Sequence, residues 1–249
     1  TPFDPVLMSL DERLQGPDRE HWMGTDQYGR DVFSRVLSAS AVSLLVSAAT
    51  VFFALLLGAP VGALSAYLGG RFDQGTMMLT EALVAFPALL LVLLFLSITG
   101  PSMSAVIAAL AVASLPTVIR VTRASVLSLR EQQFVEAAWI AGSGRFFVLT
   151  RHLLPNCISP LSILVTSMFA TVLLIESALS FLGLGVPAPQ ATWGALLADS
   201  RQYLAAAPWL SFYPGLVITL AVVGVNLLGD VLRDAADPKF VQAETRARN

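Results

Sequence analysis

Charge is what this sequence has least of. Only 13% of its 249 residues are Asp, Glu, Lys or Arg, against about a quarter in ordinary soluble domains. Lysine is nearly missing, since Lys239 is the only one and it follows Asp237-Pro238. A phosphate-cradling G-x-x-x-x-G-K-[ST] loop is therefore excluded. Any ATP that drives this protein must bind to another chain. Cys157 is the only cysteine, which rules out an internal disulfide and a Cys-rich metal site. It opens an apolar run and reads as small packing filler. His21 and His152 are the only histidines. They lie far apart, and no H-E-x-x-H is present, so zinc hydrolase chemistry has no support. The opening residues Thr-Pro-Phe-Asp-Pro lack the basic region and apolar core of a signal peptide.

What the chain has instead is apolar length. Hydrophobic residues make up 55% of it, and the mean hydropathy is +0.72. Val36–Gly70, Ala82–Ile119, Leu153–Ile175 and Gln202–Gly229 are free of charged residues, and Gly100-Pro101 interrupts the second run. A membrane span needs about 20 apolar residues. Spanning helices are expected at about 36–68, 76–99, 104–127, 157–182 and 209–230. No segment alternates with period two, so an all-α bundle is expected rather than a barrel. Five spans put the termini on opposite sides. One side would then hold Arg13, Arg19, Arg30, Arg35 and Arg201. The other would hold Arg71, Arg120, Arg123, Arg130, Arg145, Arg151, Arg233, Lys239, Arg246 and Arg248. The positive-inside tendency places the second, larger set in the cytosol. Residues 1–35 are then extracytoplasmic, 36–230 form the membrane domain with a cytosolic loop at 128–156, and 231–249 form a cytosolic tail.

Several local patterns stand out. In Gly24-Thr-Asp-Gln-Tyr-Gly-Arg-Asp31 the glycines suit tight turns, and Asp31 can cap the long helix that follows. Gly58 and Gly62, with Ala66 a turn later, suit close helix packing. Pro60, Pro87, Pro116, Pro160 and Pro214 put one proline in or near each span, each expected to bend its helix. Ser128-Leu-Arg-Glu131 fits a capping box. It predicts a short helix over Gln132–Ala141, ended by a left-handed Gly142. Phe134, Ala138 and Ala141 share one face of that helix by spacing. The alanines permit close approach to a partner, Glu136 can meet a basic group, and Trp139 and Phe134 add apolar contact. A second segment, bracketed by Arg145 and Arg151, ends at Leu154-Pro155. The next span should break at Gly183-Leu-Gly185, near the outer face, with Trp193, Tyr203 and Trp209 in an interfacial loop. Glu176 lies about 28 Å along that span from Cys157, and an ionisable group at such depth is a functional candidate. A capped or paired structural role accounts for it equally well.

Glu136-Ala137-Ala138, Gly142 and Leu154-Pro155 together match E-A-A-x3-G-x9-I-x-L-P, with His152 standing where the pattern has Ile. This loop resembles the hallmark of permease subunits of ATP-binding-cassette (ABC) importers. The 24–31 segment resembles the G-T-D-x-x-G-R-D signature of their dipeptide, oligopeptide and nickel subfamily. Leu179-Ser-Phe-Leu-Gly-Leu-Gly185 with Pro187, Pro189 and Trp193-Gly194, and the ending Asn226-Leu-Leu-Gly-Asp230 through Pro238, are similar to that subfamily too. The resemblance implies a type I importer permease in a bacterial inner membrane, with a further spanning helix before Thr1. It implies a homologous second permease, two cytosolic ATPases that bind ATP and Mg, and an extracytoplasmic substrate-binding protein, with no nucleic acid involved. No cofactor, metal or catalytic group is expected in this chain, which is not itself an enzyme. Phe134, Glu136, Ala137, Ala138, Trp139, Gly142, Leu154 and Pro155 would couple it to the ATPases. Glu176 would line or gate a translocation path shared with the second permease. Di- or oligopeptides are the implied substrates, with nickel or metal chelates as the alternative. An ion-coupled secondary carrier would need carboxylates near the bilayer midplane. Glu81, near an inner end, and Glu176, near an outer one, supply no such centre.

Overall fold

The computed structural model describes residues 1–236. Pro238, Lys239 and the rest of the expected tail lie outside the described residues. Among the described residues there is no strand, only an isolated bridge between Thr25 and Asp31. Ten helices follow one another: α1 (Val32–Leu68), α2 (Gly70–Val84), α3 (Ala88–Thr99), α4 (Met103–Arg130), α5 (Gln133–Ile140), α6 (Arg145–Phe147), α7 (Leu154–Asn156), α8 (Ile158–Phe181), α9 (Trp193–Ser200) and α10 (Trp209–Ala236). A π-helical stretch, Val148–Leu153, joins α6 to α7.

Helices α1, α4, α8 and α10 are long and apolar enough to cross a bilayer, as expected. The expected second span is different. It is split into α2 and α3, bent by 89° at a short break. Pro87 lies at that break. It has no N–H to donate and disfavours helix at Phe86. Pro60, Pro116 and Pro214 lie inside unbroken helices. Pro160 falls in the first turn of α8, where an N–H has no intrahelical partner to lose. The expected capping box at Ser128 is also absent, because α4 runs on to Arg130 and takes Ser128 into its interior. Val126 is buried there, and Leu127 and Leu129 pack against the same core, so the helical register continues.

The chain forms two compact units. The first comprises Thr1–Thr50, Val92–Leu110 and Ala170–Gly224; the second comprises Val51–Leu91, Ala111–Phe169 and the chain from Val225 onward. In the first unit, Val32, Val36, Ala39, Leu173, Trp193, Leu196, Ala207, Leu210 and Ile218 form the core. The residues before α1 are pinned by turns. Asp26 Oδ1 accepts the backbone N–H groups of Tyr28 (2.8 Å) and Arg30 (3.0 Å). Asp26 Oδ2 takes the Arg30 and Arg35 guanidinium groups. Gly24 and Gly29 have φ of 74° and 73°, which a side chain would strain. Asp31 caps α1, its Oδ2 accepting from Ser34 N at 2.7 Å. The turn-plus-cap reading of residues 24–31 therefore holds.

In the second unit the core is Ala63, Ala66, Val126, Val135, Ala138, Val148, Leu149, Leu153 and Cys157. The thiol of Cys157 is wholly buried packing, as its position suggests. The small residues of α1 serve a crossing with α4. A Cβ on Gly62 would come 2.5 Å from the Ile119 carbonyl oxygen, and one on Gly58 would come 2.9 Å from Val118 side-chain atoms.

Candidate functional site

On the second unit, α5 is an eight-residue helix set off from α4 by Glu131 and Gln132. Its end is a Schellman motif. Gly142 has φ of 82°, Ser143 N bonds to Ala138 O at 3.0 Å, and Gly142 N bonds to Trp139 O at 2.9 Å. That pattern satisfies the last orphan carbonyls and requires a left-handed residue, which glycine adopts without penalty. Nothing lies within 4 Å of a Cβ built on Gly142, so conformation, not space, selects the glycine.

The helix has two faces. Val135 and Ala138, three residues apart, are turned into the second unit's core. Phe134, Glu136, Ala137, Trp139 and Ile140 are exposed, Ile140 at 82%. The sequence expectation grouped Ala138 with Phe134 and Ala141 as a contact face. The structure corrects this: Phe134 and Ala141 are exposed, but Ala138 packs inward beside Val135 and anchors the helix.

Beyond Gly144, the π-helical stretch lets residues five apart share a side, since its hydrogen bonds run i to i+5. Val148, Leu149 and Leu153 are all buried there. His152, at the position where the pattern has Ile, is half-buried and meets the Phe147 ring edge-on at 5.7 Å between centroids. Leu154 is partly buried against the core. Pro155 is exposed and sits in the first turn of α7, directly after the π-helical stretch.

A groove of about 660 Å³ runs beside α5, lined by Tyr67 and Leu68 at the end of α1, by Arg130, Glu131 and Gln132, and by Glu136 and Trp139. Its walls mix an indole and a leucine with charges of both signs. That chemistry fits a protein surface better than a small metabolite.

The sequence reading missed a second feature of this unit. Arg123 on α4 forms a bidentate ion pair with Asp73 in the first turn of α2, Nε to Oδ1 and Nη2 to Oδ2, both at 2.6 Å. Ser65 Oγ, near the end of α1, donates to Asp73 Oδ1 at 2.6 Å. Three helices are thus tied at one carboxylate. The partners lie fifty residues apart, so no local pattern points to the pair. The only signal is an acidic residue in a first helical turn.

Glu176 lies in the first unit and is 0% exposed. Ser180 Oγ donates to its Oε1 at 2.7 Å, while its buried Oε2 has no hydrogen-bond partner among the described residues. Thr192 caps α9 by accepting from Ala195 N at 3.3 Å. Trp193 N donates to Ser43 Oγ at 3.2 Å, and Trp193 Nε1 donates to Val36 O and Ser40 Oγ at the same distance. A Cβ on Gly194 would come 2.1 Å from Ser177 O, so α9 lies hard against α8. The expected break after α8 is present as a second Schellman motif at Gly183, φ 80°, with Leu184 N bonded to Leu179 O at 2.9 Å. Glu176 is enclosed by this packing and borders no open surface of the chain. A place on a pathway wall would require the packing to open.

Comparison with known proteins decides the family. Residues 58–242 match the family model described as the binding-protein-dependent transport system inner membrane component. The chain belongs to this family. A putative peptide transport system permease protein of Brucella suis is 43% identical over 95% of this chain and 79% of its own length. A dipeptide transport system permease protein of Alkalihalophilus pseudofirmus is 41% identical over 96% of this chain and 81% of its own length. A nickel transport system permease protein of Escherichia coli is 39% identical over 96% and 87%. Among solved structures, an inward-facing methionine ABC transporter gives a TM-score of 0.68 at 18% identity, over 82% of this chain and 97% of that one. The shared fold is that of ABC importer permeases. The protein is accordingly a multi-pass inner-membrane permease subunit, as its loop and subfamily signatures imply, and the permease fold accounts for its long apolar helices.

Proposed function

We propose that this permease passes di- and oligopeptides into the cell, paired with a homologous second permease and driven by two ATPase chains that bind the ATP and Mg. An extracytoplasmic binding protein delivers the substrate. The chain itself carries no catalytic group, and α5 and the C-terminus lie in the cytosol. The observation that carries this reading is the two-faced build of α5. One side is locked into the core through Val135 and Ala138, and the other offers Phe134, Glu136, Ala137 and Trp139 beside a groove. A helix fixed at its back and free at its front transmits force from a docked ATPase without bending. Gly142 holds its end, and Leu154 and Pro155 fix the return of the chain to α8.

The peptide assignment rests on the peptide and dipeptide permeases among the relatives. The nickel permease at 39% identity supports a second reading, in which the cargo is nickel or a metal chelate. The test reconstitutes the complete complex in proteoliposomes with its binding protein and follows ATP-dependent uptake of a labelled dipeptide and of nickel. Dipeptide accumulation supports the proposal. Nickel accumulation without dipeptide uptake refutes the substrate. In the same system Glu136→Lys should insert normally yet detach the ATPase or lose transport. Full coupled transport by Glu136→Lys would remove α5 from the coupling role.

A further inference from the structure

α2 turns most of its larger apolar side chains away from the unit it belongs to. Asp73, Thr76, Met77, Thr80 and Leu83 recur at helical spacing, and they are its less exposed residues. Of these only Thr80 is buried. Both threonine hydroxyls bond within α2, Thr80 to the Thr76 carbonyl at 2.7 Å and Thr76 to that of Phe72 at 2.9 Å. Phe72, Met78, Leu79 and Val84 are exposed. Little apolar area therefore holds α2 against the second unit.

Both ends of α2 are joints. At its start Gly69 has φ 64° and ψ −157°, a region essentially confined to glycine, and Gly70 has φ 54°. Nothing lies within 4 Å of a Cβ built on either, so conformation selects glycine there. At its end Pro87 has no N–H to offer, and α3 leaves at 89°. Hinges concentrate their φ/ψ changes in a few element-terminal residues of this kind. Between the joints lie 15 residues of unbroken helix, an arm about 22 Å long. What fastens the arm is a charge. Asp73, in the first turn after the glycines, holds the Arg123 guanidinium through two contacts at 2.6 Å and takes the Ser65 hydroxyl. The pair is partly open to solvent, 29% at Arg123 and 20% at Asp73. Water reaches both partners, so the pair opens without leaving a buried charge uncompensated. Arg123 stands on α4, the helix that leads through Glu131 and Gln132 into α5. The catch therefore joins the arm to the helix that carries the proposed docking surface.

We infer that α2 is a hinged arm whose catch is the Asp73–Arg123 ion pair. The catch is closed in this structure. It opens when nucleotide binds the ATPases, and α2 then swings between Gly69-Gly70 and the Pro87 break. The source of the force rests on the coupling role proposed for α5, but the arm and its catch do not.

The experiment uses the complete complex in proteoliposomes with Cys157→Ala, which leaves no other thiol in this chain. Nitroxide labels on Met78→Cys and Ser128→Cys, both exposed positions, report the spacing of α2 and α4 by pulsed electron resonance. Trapping nucleotide on the ATPases should shift that spacing by about 5 Å, which at Met78, about 12 Å along the arm from Gly70, is a rotation of about 25°. Asp73→Asn should show the shifted spacing without nucleotide. Exchanging the charges, Asp73→Arg with Arg123→Asp, should restore the nucleotide dependence. In a second chain, Asp73→Cys and Arg123→Cys joined by a short reducible linker replace the catch with a covalent one. The linked complex should lose ATP-driven uptake of whichever cargo, dipeptide or nickel, the parent accumulates, and should regain the uptake of the unlinked pair on reduction. A parent spacing that ignores nucleotide would overturn the inference. So would an Asp73→Asn spacing equal to the parent's without nucleotide, or full uptake by the linked complex. A shift that persists in Glu136→Lys with transport intact would refute the coupling role of α5 and leave the arm standing.

Discussion

Replacing Gly62 by alanine tests the crossing of α1 and α4 on which the second unit is built. The new Cβ would lie 2.5 Å from the Ile119 carbonyl oxygen, 3.0 Å from Thr122 Cβ and 3.1 Å from Ile119 Cα. Two of these three atoms are backbone, so no rotamer change relieves the contact. An ordinary contact begins at 3.4 Å, and 3.4 − 2.5 leaves 0.9 Å by which the helices must separate. Overpacking of this kind costs about 1–3 kcal/mol, and backbone contacts place Gly62→Ala near the top of that range. Alanine returns roughly 1 kcal/mol of helix propensity, so a net loss of about 2 kcal/mol is expected. Gly75 is the control. It lies within α2 with nothing within 4 Å of its built Cβ, so Gly75→Ala should gain about 1 kcal/mol. At about 2–4 °C per kcal/mol for a chain of this size, Gly62→Ala should melt several degrees below the wild type and Gly75→Ala slightly above it. Thermal unfolding of the purified complex in detergent measures both. A Gly62→Ala variant that melts at or above the wild type would refute the close crossing.

Three further outcomes are expected. Asp73→Asn removes a bidentate, partly buried ion pair and leaves Arg123 without its carboxylate, which should cost about 1–2 kcal/mol; the matched variant Arg123→Leu combined with Asp73→Leu should lose less than the sum of the single changes in a thermal-melt cycle. Gly142→Ala meets no steric obstacle but must hold a left-handed φ, at about 1 kcal/mol, so limited proteolysis should cut the 131–144 loop faster, while Gly142→Asn should stay closer to the wild type. Glu176→Ala empties an enclosed polar site and should lower the melting temperature more than Glu176→Gln, which keeps an acceptor for Ser180; equal melting of both with a selective loss of uptake would instead return Glu176 to the pathway.

Much of this structure can be read from the sequence, and the exceptions have physical causes. The four unbroken spans and the Gly142, Gly183 and Asp31 termini follow from apolar length, from left-handed glycine and from a side-chain cap. Each is decided within a few residues. The second span is broken where the first is not, because proline does not act alone. Pro60 sits between Gly58 and Gly62, whose contact with α4 braces α1 on either side of it. Around Pro87, Val84, Phe86, Leu89 and Leu90 are exposed, so no buried packing of these side chains braces a helix across the gap. Ser128-x-x-Glu131 has the spacing of a start signal, but the same spacing occurs inside helices; burial of Val126 decides the matter, and burial is not local. Ala138 shares a face with Phe134 and Ala141 by helical spacing, but spacing does not say which face is inward. Its partner three residues back is the apolar Val135, and that pair marks the inward side. The Asp73–Arg123 pair was beyond reach because only tertiary folding joins positions fifty residues apart.

The second unit divides its stability unevenly, and the division matches the work of a transporter. α5 and the turn behind it are held by Val135, Ala138, Val148, Leu149 and Leu153 in one core, with a Schellman end and a glycine-tight crossing nearby. Few local openings are open to such a region, so a force applied at Glu136, as proposed, would reach α1 and α4 with little loss. α2 is built in the opposite way. It begins at Gly70, which like Gly69 before it has positive φ, and ends at the Pro87 break. Of its residues only Thr80 is buried, and its polar tie to the other helices is the Asp73 carboxylate. An element with few buried contacts belongs to the low-stability end of a fold, from which moving parts are drawn. Force delivered at the rigid helix would therefore be expressed as movement in the loosely held one.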